Sequence, residues 1–142
     1  MKFLAINILI GFLSLLLASE SSGFIKKLNG KVSVLRDSKV IELKIGDKVF
    51  EKDIVKTQNK SSIGIIFNDN TLVSLGPNTD FIIEEYIFKP AENKQSFISR
   101  LSKGTLTCLT GLMSKLNPEA MKIKAKTASI GIRGTHFAIS VD

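Results

Sequence analysis

Tryptophan is absent from this 142-residue chain, and cysteine, histidine and tyrosine occur once each. A single thiol, Cys108, excludes an intrachain disulfide framework and every multi-cysteine metal or iron–sulfur site. A single imidazole, His136, excludes zinc motifs that need two histidines. Glycine-rich phosphate loops are also missing. Glu84 and Glu85 are adjacent, so on a strand they point to opposite faces and form no carboxylate pair. Asp69-Asn70 lacks the acidic density of a calcium loop. No metal and no cofactor is expected. With so few aromatic platforms, stacking on single-stranded nucleic acid is poorly served.

Long hydrophobic runs are confined to the amino terminus. Lys2 is followed by sixteen residues, Phe3 to Ala18, without a charge. As a helix they would span about 24 Å, short of a bilayer's hydrocarbon core. The positive start, apolar stretch and small residues after it predict a secretory signal over residues 1–21. Cleavage near Ser19-Glu20-Ser21 or after Ala18, and retention as an uncleaved anchor, both remain open. Either outcome places residues 22–142 outside the cytoplasm, periplasmic or at the cell surface. No cysteine follows the run, which excludes lipid attachment there.

The remaining chain carries an excess of positive charge. Twenty Lys and Arg stand against 13 Asp and Glu, a net +7, and the excess gathers in the carboxy-terminal part. Anionic envelope polymers, anionic lipid and acidic protein faces suit that balance better than nucleic acid does, since the chain is exported.

Apolar residues alternate in short runs broken by turn residues, and no window keeps a helical period. The pattern predicts an all-β fold of short antiparallel strands and hairpins in a sandwich or roll, behind the amino-terminal signal or anchor helix. Asn29-Gly30 between Phe24–Leu28 and Lys31–Leu35 is the strongest hairpin signal. Asn68-Asp69-Asn70 marks a second one. Further strands are expected at Asp80–Phe88, Ser96–Ser102, Thr105–Leu109, Met121–Thr127 and Gly134–Val141, with one helical turn at Leu112–Leu116.

Four cations are candidate contacts for an anionic partner. Lys122, Lys124 and Lys126 alternate with Met121, Ile123 and Ala125, which sets three ammonium groups along one strand face. The same row also suits a solvated edge strand protected against aggregation. Arg133 lies between Gly131 and Gly134. It fits either a contact with a ligand or partner carboxylate, or an internal pair with Asp47, Asp53 or Asp69. His136 is expected on the polar face of the last strand, and Cys108 as a small buried hydrophobe. A hydrolase using Cys108 and His136 would require them to meet in space.

The order of motifs is more specific than the fold class. Gly30-Lys31-Val32-Ser33-Val34, Gly46-Asp47-Lys48-Val49, Asp53-Ile54-Val55 and Ser62-Ile63-Gly64-Ile65-Ile66-Phe67 come first. Asp69-Asn70-Thr71, Leu75-Gly76-Pro77-Asn78-Thr79 and Gly131-Ile132-Arg133-Gly134-Thr135-His136-Phe137 follow. From about residue 24 onward this resembles the FecR-type domain, a β-rich extracytoplasmic module best known from iron-transport regulators that relay a receptor's state to a sigma factor. The resemblance implies a non-enzymatic binding or sensing module at the cell envelope. It also makes Gly131, Ile132, Arg133, Gly134, Thr135 and Phe137 motif residues of structural use. Only Met1 and Lys2 precede the apolar run, where the regulators carry a cytoplasmic anti-sigma segment. A signalling role would therefore fall to a separate sigma-regulatory partner. The family's Asp-Gly-Thr turn is Asp-Asn-Thr here, which Asn's tolerance of left-handed backbone permits. Members of the family generally continue for further strands after this motif, so either the domain lacks its last hairpin or the chain ending at Asp142 is a fragment.

Overall fold

The computed structural model describes residues 20–126, 128–131 and 136–142. The expected signal or anchor lies outside the described residues, apart from its last positions. Among those described, the chain forms twelve strands and little else. They are β1 (Gly23–Asn29), β2 (Val32–Arg36), β3 (Lys39–Glu42), β4 (Lys48–Val49), β5 (Ile54–Thr57), β6 (Ser62–Phe67), β7 (Leu72–Leu75), β8 (Asp80–Lys89), β9 (Lys94–Leu109), β10 (Met121–Ala125), β11 (Ala128–Gly131) and β12 (His136–Val141). One short helix, α1 (Leu112–Leu116), stands where the helical turn is expected.

The strands form one curled sheet with two halves. The first runs β4-β1-β6-β7 and ends on the last third of β9, with β12 paired beside it. The second runs β3-β2-β5-β8 to the first part of β9, then β10 and β11. Alternation fixes which side chains turn inward. Ile25, Ile65, Phe67, Val73 and Leu106 come from the first half; Val34, Val55, Phe81, Phe97 and Ile123 come from the second. All belong to one core. The halves meet where the Phe67 ring lies 4.5 Å from Phe97 and 5.4 Å from Tyr86, centroid to centroid.

Three departures from the sequence pattern shape this architecture. Asn29-Gly30 is not a hairpin: β1 pairs with β4 and β6, whereas β2 pairs with β3 and β5. The dipeptide instead turns the chain from one half to the other, so that Ile25 and Val32 reach the core from opposite sides. Gly30 has φ +76°, and a Cβ there would collide with Ser61. The Ser61 hydroxyl accepts the Lys31 N–H at 2.9 Å and stands where a Gly30 side chain would. The two-residue hairpin of this region is Asp37-Ser38, joining β2 to β3 with φ values of 50° and 63°. Both being positive, they match the twist-compatible turn without help from glycine.

Second, the runs Ser96–Ser102 and Thr105–Leu109 belong to one 16-residue strand. Gly104, at φ +98°, bends β9 without breaking it, and a Cβ at that position would collide with Thr79. Third, the sheet is not wholly antiparallel. After α1 and a 3-10 turn at Pro118–Ala120, β10 returns parallel to β9, with Met121 opposite Phe97 and Ala125 opposite Leu101. β11 then pairs with its far side, so β10 is not an edge strand.

Candidate functional site

Two acidic residues of the sequence motifs are buried and consumed internally. Asp69, in the β6–β7 turn, is 0% exposed and has no ion pair among the described residues. Its Oδ1 accepts the Tyr86 hydroxyl at 2.9 Å and the Thr71 N–H at 3.3 Å. Its Oδ2 accepts the Thr71 hydroxyl at 2.7 Å and the Met113 N–H at 3.1 Å. A buried carboxylate is tolerable only when its lone pairs are filled in this way. The Asp69 carbonyl accepts the Leu112 N–H at 2.8 Å, so the turn also holds the start of α1. Burial and the adjacent Asp69 charge push the Tyr86 hydroxyl far above the ordinary phenol value.

Asp53 is the second. Arg36 grips it bidentately, with Nε to Oδ1 and Nη2 to Oδ2 both at 2.8 Å, and the Phe50 N–H adds a bond at 2.9 Å. The Arg36 guanidinium lies 4.7 Å from the centre of the Phe50 ring. Its hydrogen bond to Asp53 raises the arginine's pKa further, against the opposing effect of burial. Of the three partners the sequence offers Arg133, Asp47, Asp53 and Asp69, Asp47 accepts the Lys44 N–H at 2.8 Å. The structure fills Asp53 with Arg36, and Asp69 with hydroxyl and amide donors. Arg133 itself lies outside the described residues, as do Ile132, Gly134 and Thr135.

The β10 lysines divide. Lys122, between buried Met121 and Ile123, and Lys124, between Ile123 and Ala125, point away from the core. Lys126 has left the strand, in a turn at φ +53°, so the alternation does not extend to it. Strand register sets Leu35, Ile54, Ile82, Arg100 and Lys124 in one row across the outer surface of the second half. Glu84 interrupts its positive end. Its carboxylate lies 3.1 Å from the Lys124 ammonium and 3.5 Å from Arg100 Nε. Burial opposes ionisation of Glu84, but those two cations outweigh it and hold the carboxyl below its ordinary value. Lys122 is exposed, and no ion pair engages it or Lys126 among the described residues.

Cys108 and His136 do not meet. β12 pairs with β9 so that Phe137 faces Cys108 and His136 faces Leu109. Cys108 therefore turns into the core, 1% exposed, while His136 sits on the opposite, exposed side. Burial, with a smaller contribution from Asp69, pushes the thiol up to about 12. A thiol so protonated and enclosed is no nucleophile at neutral pH. Among the described residues no cluster of His, Cys, Asp and Glu has the makings of a metal site.

Comparison with known proteins agrees with the motif order. No curated protein matches the chain. One solved structure, titled "Cell surface anchoring domain", is similar at 35% identity over 43% of this chain and 82% of its own, with a TM-score of 0.42. The family model described as "FecR protein" matches residues 53–142, from the clamped Asp53 through the buried Asp69 turn to the last strand, and the chain belongs to that family.

Proposed function

We propose that this chain is an envelope-associated binding or sensing module that acts by surface recognition, without catalysis. Membership of the FecR family carries this reading. Support comes from the use made of the motif carboxylates: Asp53 and Asp69 stabilise the fold, which leaves partner recognition to the sheet exteriors. The periplasm is the proposed location. Lys122, Lys124, Lys126 and Arg133 are the proposed contacts for an envelope protein or an anionic envelope polymer. Lys122 and Lys126 are the more available of the described three, because Lys124 must first give up Glu84.

The test is capture of the epitope-tagged chain from cross-linked envelopes at low and high salt, with proteins, wall fragments and lipids analysed in the same eluate. A salt-resistant envelope protein identifies a sensing module. Recovery of wall material that salt abolishes, and that Lys122→Ala with Lys126→Ala weakens, identifies polymer binding. Recovery of neither overturns the reading.

A further inference from the structure

The outer surface of the first half carries an apolar row that the β10 lysines do not touch. Register aligns Phe24 of β1, Ile66 of β6, Leu72 of β7 and Leu109 of β9 as successive cross-strand neighbours. Lys48 faces Phe24 at one end, and His136 faces Leu109 at the other. α1 begins three residues after Leu109, is held to the same margin by the Leu112 N–H bond to the Asp69 carbonyl, and carries exposed Leu112 and Leu116 one helical turn apart. Phe24, Leu109, Leu112 and Leu116 are 45%, 49%, 45% and 56% exposed. The next row inward, Lys27, Gly64, Ser74, Thr107 and Ala138, is polar or small. Within this half the apolar character is thus confined to one margin, the margin that the Asp69 turn completes and from which α1 starts.

We infer that this margin docks on an anionic lipid surface, with the row entering the interface and its flanking cations meeting the headgroups. Three observations favour lipid over a folded partner. The exposed members offer a few hundred Å² of apolar area, well short of the ~800 Å² per partner of a standard protein interface, whereas insertion into lipid needs no shape complementarity. The charges beside the row are mostly positive: Lys48, exposed Lys26 and Lys27 on β1, and Lys115 on α1. Against them stand Glu20, which shares a shallow depression with Lys48, Asp47, which adjoins Lys48 and accepts the Ile25 N–H on its carbonyl, and Glu119 beyond α1. Asp69 carries its charge inside. Finally, the apolar stretch Phe3–Ala18 ends six residues before Phe24, a reach of about 20 Å. The inference rests on the envelope-associated reading only for the source of the lipid. It sets the membrane against one half of the sheet and leaves the β10 side of the other half for a partner.

Hydroxyl-radical footprinting of the full chain tests this on vesicles of phosphatidylglycerol with phosphatidylethanolamine, and on phosphatidylcholine alone. Any insertion of the amino-terminal stretch is then common to both. Oxidation at Phe24, Leu109, Leu112 and Leu116 is expected to fall on the anionic vesicles only. Val40 and Ile45, 76% and 67% exposed elsewhere, should stay reactive. Leu112→Ser with Leu116→Ser should weaken the protection of Phe24 and Leu109 about tenfold in lipid concentration, whereas Lys122→Ala should leave it unchanged. Undiminished oxidation of the row, or equal protection of Val40 and Ile45, overturns the inference. Neither result touches envelope capture through the β10 side.

Discussion

The Tyr86 hydroxyl donates to Oδ1 of Asp69 at 2.9 Å and accepts the backbone N–H of that same residue at 3.0 Å. One phenol thus serves both ends of an aspartate 17 residues away and ties the β6–β7 turn of the first half to β8 of the second. Asp69→Asn keeps the shape but sets an amide N–H against the Tyr86, Thr71 or Met113 donors. It should cost about 3 kcal/mol, and Tyr86→Phe about 1–2 kcal/mol. Urea denaturation of the two variants checks the order; equal stabilities would contradict the network.

Arg36→Ala would leave Asp53 buried with a single remaining amide donor. A loss of about 3 kcal/mol is expected. Arg36→Lys keeps the charge but neither the two-pronged grip nor the stacking on Phe50, and should recover less than half of that. Thermal unfolding of wild type and both variants decides this, and a lysine variant as stable as wild type would refute it.

Glu84 links β8, β9 and β10 through Arg100 and Lys124. Because its native pKa lies below the unfolded one, the pairing stabilises the fold above the ordinary carboxylate value of about 4.3. That contribution is lost as pH falls through the lowered native value. Glu84→Gln should therefore be less stable at pH 7 by about 0.5 kcal/mol, given partial exposure, and the gap should close on acidification. Denaturation midpoints across pH 3–7 would show it; a gap that widens in acid would contradict the pairing.

Cys108 should resist thiol reagents in the native state. Labelling with an aromatic disulfide at pH 8 is expected to proceed only as fast as the domain opens, and to accelerate in urea. Rapid stoichiometric labelling of the folded chain would show that the thiol is not held in the core.

What the sequence made legible were local properties. Alternation in His136–Val141 correctly separates Phe137 from His136, and Asn68-Asp69-Asn70 does close a hairpin. The five-residue α1 was bounded by Asn117-Pro118. Pairing partners were not legible, because hydrogen bonding across a sheet leaves little trace in one strand's composition. Asn29-Gly30 supplies the positive φ of a tight turn, yet the same φ serves a corner between two halves. Gly104 signals a stop only if a bend is equated with an end. The candidate site was legible as charge and not as geometry. Arg36 gave no signal as the partner of Asp53, because their 17-residue separation is closed only when β2 and β5 pair. Glu84 reached Lys124 through a bulge in β8 that no turn residue announces.

β9 has a consequence for how the domain comes apart. The same backbone completes the ladders of β8 and β10 before Gly104 and those of β7 and β12 after it. Neither half is a finished unit without it, so the amides of β5 and β8 and those of β6 and β7 should exchange with solvent through one common opening. Such a chain matures all at once. The first hundred residues have no shared central strand to close on, and the molecule stays vulnerable to proteolysis until Leu109 has emerged and found Leu72.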